Sequence, residues 1–343
     1  MRRLLNTLYV TMPDTYLACD GENVLIKAND EIKFRVPVHN LEGIICFGFT
    51  GASPKLMHLC CERGVAISFL SQYGKFMGRI SGNVSGNVLL RRTQYRWSDD
   101  EAVTARLSRR FIAAKIMNSR AVLHRALRDH AEAVDRASLE RALQLMARMP
   151  VKLEAAHTGD SIRGIEGEAA HLYFSNFNQL VLSQKETFHM SGRNRRPPTD
   201  RVNALLSFLY TLLTHEVVAA LESIGLDPQV GFLHRDRPGR PSLALDVMEE
   251  LRPHFVDRLA ATLINRNQIS ANGFLIKENG AVIMDDDTCK EVVTAWQKRK
   301  QEEITHPYLE EKIPLGLVPY VQAMLLARHM RGDLEDYPPF FWK

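Results

Sequence analysis

The stretch Arg201–Ile224, RVNALLSFLYTLLTHEVVAALESI, limits the possible folds more than any other. It is apolar on almost every side, so a helix made from it must run through the middle of a helical domain. Gly225 and Pro228 stop it. Asn203 and Ser207 sit one turn apart inside it and need internal partners, so they are expected to order neighbouring backbone. No run reaches the ~18 apolar residues of a membrane span. The N-terminal residues MRRLLNTLYVTMPDTYLACDG contain no signal-like segment. The five cysteines are odd in number and form no CxxC pair, which argues for reduced thiols and against a zinc site. The expectation is a cytoplasmic protein with no membrane partner.

Residues 1–92 read differently. Two β-type runs flank Asp20-Gly21-Glu22-Asn23, a third run is broken by Pro37 and Gly43, and a short helix ends at Gly64 before a buried strand. A near-repeat of Ser-Gly-Asn-Val leads out. From residue 93 to 343 the periodicity is helical, with one small hairpin around Asn279-Gly280. The fold class is therefore α+β: an N-terminal β-rich, sandwich-like domain and a larger all-α domain. Within it, 139–149 forms a helix stopped by Pro150, and 315–331 forms the last helix.

The chemistry concentrates in two fragments. In SIRGIEGEAAHLYFSNFNQLV, residues 161–181, a stripe of Ile162, Ile165, Ala169, Tyr173, Phe177 and Leu180 carries Glu166 in its middle, while Glu168 falls opposite. A carboxylate on an apolar stripe must find a cation, a donor or a proton. Tyr173 reads as core packing. In GFLHRDRPGRPSLALDVMEELRPHFVDR, residues 231–258, a Gly/Pro/Arg loop passes into a helix capped by Ser242. Asp246 and Glu249 emerge side by side, away from the stripe of Leu243, Val247, Met248, Leu251 and Phe255. His234 precedes Asp246 by twelve residues, among five arginines. Carboxylates, one imidazole and no thiolate suit Mg²⁺ or Mn²⁺, and the arginines suit phosphates. Spacing alone leaves Glu250 open beside Glu249.

The net charge of +4 is a weak hint of an anionic partner, and local clusters say more. Arg106, Arg109, Arg110, Arg120, His124 and Arg128 share one side of a helix over 101–128, a phosphate-tracking stripe or a solvated face. Arg193, Arg195 and Arg196 lie on a polar loop, and Arg235, Arg237 and Arg240 on the loop before the acid pair.

GIEGEAAHLYF and GFLHRDRPGRPSLALDVMEELRP resemble the metal-site motifs of the CRISPR-associated integrases that acquire spacers, the Cas-one family. RRPPTDRVNALLSFLYTLL at 195–213 agrees, and the terminal YPPFFWK is similar to the type I-C branch. The resemblance implies a metal held by Glu166, His234 and Glu249 with Asp246 beside them. It implies attack of a DNA 3′-hydroxyl on the CRISPR repeat, and cutting when water replaces the hydroxyl. It also implies dimerisation through the β-rich domain, a small Cas-two partner and, in type I-C systems, a Cas-four nuclease. A branched-DNA repair nuclease with the same site, and a non-catalytic DNA-binding scaffold whose carboxylates pair with arginines, are the competing readings.

Overall fold

The computed structural model describes residues 6–12, 14–29, 31–48, 50–71, 76–82, 88–194 and 197–342. Chain order begins with β1 (Thr7–Val10), β2 (Thr15–Asp20), β3 (Asn23–Ala28), β4 (Glu31–Pro37), β5 (Gly43–Phe47), β6 (Gly51–Ala52), α1 (Pro54–Arg63), β7 (Ala66–Leu70) and β8 (Phe76–Ile80). These strands form two four-stranded sheets, ordered β1-β5-β7-β8 and β4-β3-β2-β6. The expected tight turn at Gly21 joins β2 to β3 in antiparallel register, with Asp20 opposite Asn23. Ser53 caps α1, and Gly64, at φ 68°, ends it in the left-handed conformation that glycine adopts most readily.

Strand pleating explains how this unit joins the rest. Ile44 and Cys46 of β5 face a small core with Leu17, Val24, Leu56 and Ile67. The alternate residues Ile45 and Phe47 turn the other way, into the core of the helices. Phe47 stacks on Phe208 at 5.6 Å between ring centroids.

The helical part comprises α2 (Val88–Asp99), α3 (Glu101–Asp129), α4 (Arg136–Glu154), α5 (Gly159–Ser175), α6 (Arg201–Ile224), α7 (Ser242–Glu249), α8 (Arg258–Asn265), β9 (Phe274–Ile276), β10 (Val282–Met284), α9 (Asp286–Lys300), β11 (Glu303–Thr305), β12 (Lys312–Pro314) and α10 (Val318–Met330). A boundary between residues 92 and 93 falls inside α2. The near-repeat of Ser-Gly-Asn-Val runs into residues outside those described.

Four local expectations need correction. Pro150 lies inside α4, where burial of Met146, Met149 and Leu153 outweighs one lost backbone hydrogen bond. Ser242 does not cap α7: its hydroxyl donates to the Arg235 carbonyl at 3.2 Å, and Pro241 takes the cap position. The domain is not all-α, because β11 and β12 form a second hairpin beside the expected β9–β10 pair. Lastly, α6 is long and apolar enough to cross a membrane, but 61% of its most apolar window is buried in the protein. It is the central helix that its composition predicts.

Between α7 and α8 lies a π-helical turn, Pro253–Asp257. Pro253 has no N–H to continue the α-helical ladder, and such bulges recur at functional sites.

Candidate active site

The site is assembled from α3, α5, the loop before α7, and α7 itself. Asp246 organises the loop. Its Oδ2 accepts the backbone N–H groups of Phe232 at 2.6 Å and Leu233 at 3.0 Å, and its Oδ1 accepts that of His234 at 3.0 Å. Gly231 makes this wrap possible, since a Cβ there would stand 2.7 Å from the Ser242 carbonyl carbon and 2.8 Å from Asp246 Oδ2. Asp246 Oδ1 also lies 2.6 Å from His234 Nδ1. A buried carboxylate there favours the tautomer with the proton on Nδ1, which leaves Nε2 as a lone-pair donor.

That Nε2 faces Glu249, 3.9 Å from its Oε1. Glu249 is almost fully buried, and Arg252 Nη2 stands 3.2 Å from the same oxygen. Its Oε2 lies 2.7 Å from the ammonium of Lys115, yet without hydrogen-bond geometry. Burial would raise the Glu249 pKa. The cations of Arg252 and Lys115 outweigh it and hold the carboxyl well below the ordinary range. Lys115 also donates to Glu166 Oε1, so one ammonium bridges the carboxylate of α5 and that of α7.

The structure therefore brings Glu166, His234 and Glu249 together and gives Asp246 a positioning task, with both its oxygens taken by the loop. Asp246 and Glu249 do not present a solvated helix face, since α7 is buried nearly all round. Glu250 points elsewhere. Tyr337 donates to its Oε1, and Phe340 N and Gln322 Nε2 donate to its Oε2. Of the two acids that spacing leaves open, Glu249 is the one beside Lys115 and His234.

Among the described residues, no group of three His, Cys, Asp or Glu side chains is disposed to hold a metal ion as it stands. The donor chemistry nonetheless fits a hard divalent cation. Two carboxylates meet at the Lys115 ammonium, an imidazole lone pair lies 3.9 Å from Glu249 Oε1, and Glu249 Oε2 is a buried oxygen without a hydrogen bond.

Lys115 is the residue that sequence reasoning missed. It lies on the apolar side of α3, four residues after Phe111 and three before Asn118. The same signal that singles out Glu166, a charge on an apolar stripe, was there to be read.

Tyr173 is buried, and its hydroxyl donates to Asp257 Oδ2 at 2.9 Å, while Tyr210 donates to Oδ1 at 2.6 Å. Asn203 orders its surroundings as expected, accepting from Asn194 N and donating to the Gly192 carbonyl. Of the loop arginines, Arg193 donates to Asn203 Oδ1 and lies over the Tyr210 ring, which Arg252 also faces. Arg235 is exposed and pairs with Asp160 at 3.0 Å. Arg237 is exposed and Arg240 half-buried. Arg195 and Arg196 lie outside the described residues. A cleft of about 1030 Å³ runs from Phe76 and Arg79 past His215 to Arg193, Tyr210 and Arg252, beside the acids.

The family model for CRISPR associated protein Cas1 matches residues 8–298. The chain belongs to the Cas1 family. It is 52% identical, over the full length of both chains, to a CRISPR-associated endonuclease Cas1 of Chlorobaculum tepidum. A second such endonuclease, from Rhodospirillum rubrum, is 53% identical over both full lengths. Among solved structures, a casposase bound to integration product superimposes with a TM-score of 0.85 at 24% identity, covering 98% of this chain and 94% of that one. Thermotoga maritima TM1797, a Cas1 protein, gives 0.82 at 23% identity, covering 98% and 100%. These two Cas1-fold neighbours share the arrangement of a strand-rich N-terminal region followed by helices.

Proposed function

We propose that this Cas1 protein is a metal-dependent DNA integrase and endonuclease of CRISPR adaptation, which inserts short DNA fragments into the repeat array. The observation that carries the reading is the meeting of Glu166 and Glu249 on the Lys115 ammonium, with His234 Nε2 3.9 Å from Glu249 Oε1. Those three would hold Mg²⁺ or Mn²⁺. When bound, such an ion polarises a phosphodiester and stabilises the charge that builds on it.

The chain's own residues supply the rest. Asp246 keeps the His234 lone pair turned inward. Arg252 keeps Glu249 ionised, and Lys115 neutralises the acid pair, a task that a bound divalent ion would take over. The cleft from Arg79 to Arg252 suits an extended strand, with the Arg193 and Arg252 guanidiniums both close to the Tyr210 ring. The 3′-hydroxyl of the incoming fragment attacks a phosphodiester of the repeat, forming a new P–O bond as the bond to the repeat strand's 3′-oxygen breaks and that oxygen leaves protonated; water in place of the hydroxyl gives cutting. Arg235, Arg237 and Arg240, on the loop that carries His234, are placed to meet duplex phosphates.

A homodimer formed through the β-rich unit fits the exposed Ile32 and Phe34 of β4. A Cas2 partner is supported by a Cas6-RT-Cas1–Cas2 complex that superimposes with a TM-score of 0.84 at 25% identity, covering 98% of this chain and 36% of that one. A Cas4 partner is supported by the Cas4/Cas1 fusion of Geobacter sulfurreducens, 36% identical over 97% of this chain and 60% of the fusion. The C-terminal YPPFFWK argues for a type I-C setting.

The test is strand transfer of a short duplex into a repeat-bearing plasmid, with Mn²⁺ or chelator. Joining should require the metal and disappear in Glu166→Ala and His234→Ala while DNA binding persists. Joining undiminished by chelator, or by either substitution, would overturn the assignment. Equal cutting of DNA lacking the repeat would favour the branched-DNA nuclease instead.

A further inference from the structure

The arginine stripe of α3 is largely occupied by the chain itself. Arg109 donates to the Ala156 carbonyl at 2.7 Å and Arg120 to that of Leu143 at 3.2 Å, while Arg110 and Arg128 pair with Asp336 and Asp129. Surplus positive charge collects at another place, around His254 on the π-helical turn. Arg258 Nη1 stands 3.0 Å from His254 Nδ1, and Arg299 Nη2 stands 3.0 Å from His254 Nε2. A neutral imidazole has one lone pair and one N–H, so it can accept from only one of these guanidiniums. The Trp342 ring stacks on His254 at 3.2 Å between centroids, and Arg258 lies 5.9 Å from that ring's centre. Arg125 of α3 adds a third guanidinium, felt electrostatically by both His254 and Arg258.

Among the described residues, Asp129 and Glu302 are the carboxylates that answer this charge. Asp129 pairs with Arg125 and is shared with Arg128, and Glu302 pairs with Arg299. Among the described residues, no carboxylate lies within 4.0 Å of Arg258, whose neighbours are a histidine and an indole. Burial, together with Arg299 and Arg125, pushes its pKa down to about 10. A half-buried guanidinium with its nearest carboxylates beyond contact and already paired to other arginines is poorly compensated in the free protein. It becomes favourable when an anion with several acceptor oxygens arrives.

We propose that Arg258, flanked by Arg125 and Arg299, is a second phosphate site that takes one backbone phosphate of bound DNA. The inference rests on the DNA-processing reading above, and it adds a contact separate from the acid cluster. His254 and Arg252 share one helical turn, so a phosphate held here would tie the DNA to the turn that follows Glu249.

The experiment is fluorescence-polarisation titration of a labelled duplex with single-stranded ends, in chelator, across a series of KCl concentrations. Arg258→Gln should weaken binding at low salt and make the salt slope shallower by about one, with the thermal midpoint unchanged or raised. Arg258→Lys should restore part of the slope. Should Arg258→Gln fail to fold, the half-exposed Arg125→Gln carries the same expectation. Unchanged affinity and slope in folded variants, with normal binding by the unaltered protein, would overturn this site alone. No DNA binding by the unaltered protein would overturn the broader reading as well. Inorganic phosphate is the second probe. A rise in thermal midpoint that Arg258→Gln abolishes, without any change in DNA slope, would assign the site to a free anion and refute the proposal.

Discussion

A single ammonium between two carboxylates defines the centre of this molecule. Lys115 pairs with both Glu166 and Glu249, so a divalent ion held by these carboxylates would have to displace it. Lys115→Met should therefore lower stability by about 3 kcal/mol in chelator, because it leaves Glu249 with fewer partners in a buried place. Mn²⁺ should restore most of that loss and add less to the unaltered protein, as read from urea midpoints. Equal gains from Mn²⁺ in both would place the ion elsewhere. Asp246→Asn separates orientation from ligation: the fold should persist, while metal affinity or strand transfer drops by about 10- to 100-fold. A drop of under twofold would remove Asp246 from the positioning role. Glu166 was legible in the sequence because a charge on an apolar stripe demands a partner. The role of Asp246 was not, because spacing gives the side of a helix and not the backbone amides that reach it from a loop.

At the scale of elements, the loop before α7 behaves as a cast around one carboxylate. Gly231→Ala would press a methyl group against the Ser242 carbonyl carbon and the Asp246 carboxylate. It should cost about 1–3 kcal/mol and reduce activity more than an equally destabilising change far from the site. Activity that merely follows stability would argue against the cast. The helices were readable from periodicity, and α6 from its all-round apolarity. The β11–β12 hairpin was not, since its strands are three residues each and too short to show alternation. Pro150 misled for a related reason, because a proline rule is local while the burial of Met149 and Leu153 is not.

For the whole molecule, what escaped sequence reading is long-range. Two cores share one sheet through the alternating faces of β5, and residues 337–342 return to the back of the acid helix. Tyr337, Phe340 and Gln322 enclose Glu250, while Asn118 donates to the Glu250 and Phe340 carbonyls and accepts from Trp342 N. Burial outweighs these hydrogen bonds and pushes the Glu250 pKa up to about 7. A carboxyl raised from its ordinary 4.5 contributes its full stabilisation below about pH 4.5 and loses it as pH rises towards 7. Glu250→Gln should flatten the fall in stability across that window, by on the order of 3 kcal/mol at most. Parallel pH curves for variant and parent in urea denaturation would refute it. The return of residues 337–342 also sets an order of events during synthesis. Until residues 337–342 dock, Glu250 lacks its bonds from Tyr337 and Phe340 N. The acid helix is thus backed by a part of the chain made long after it.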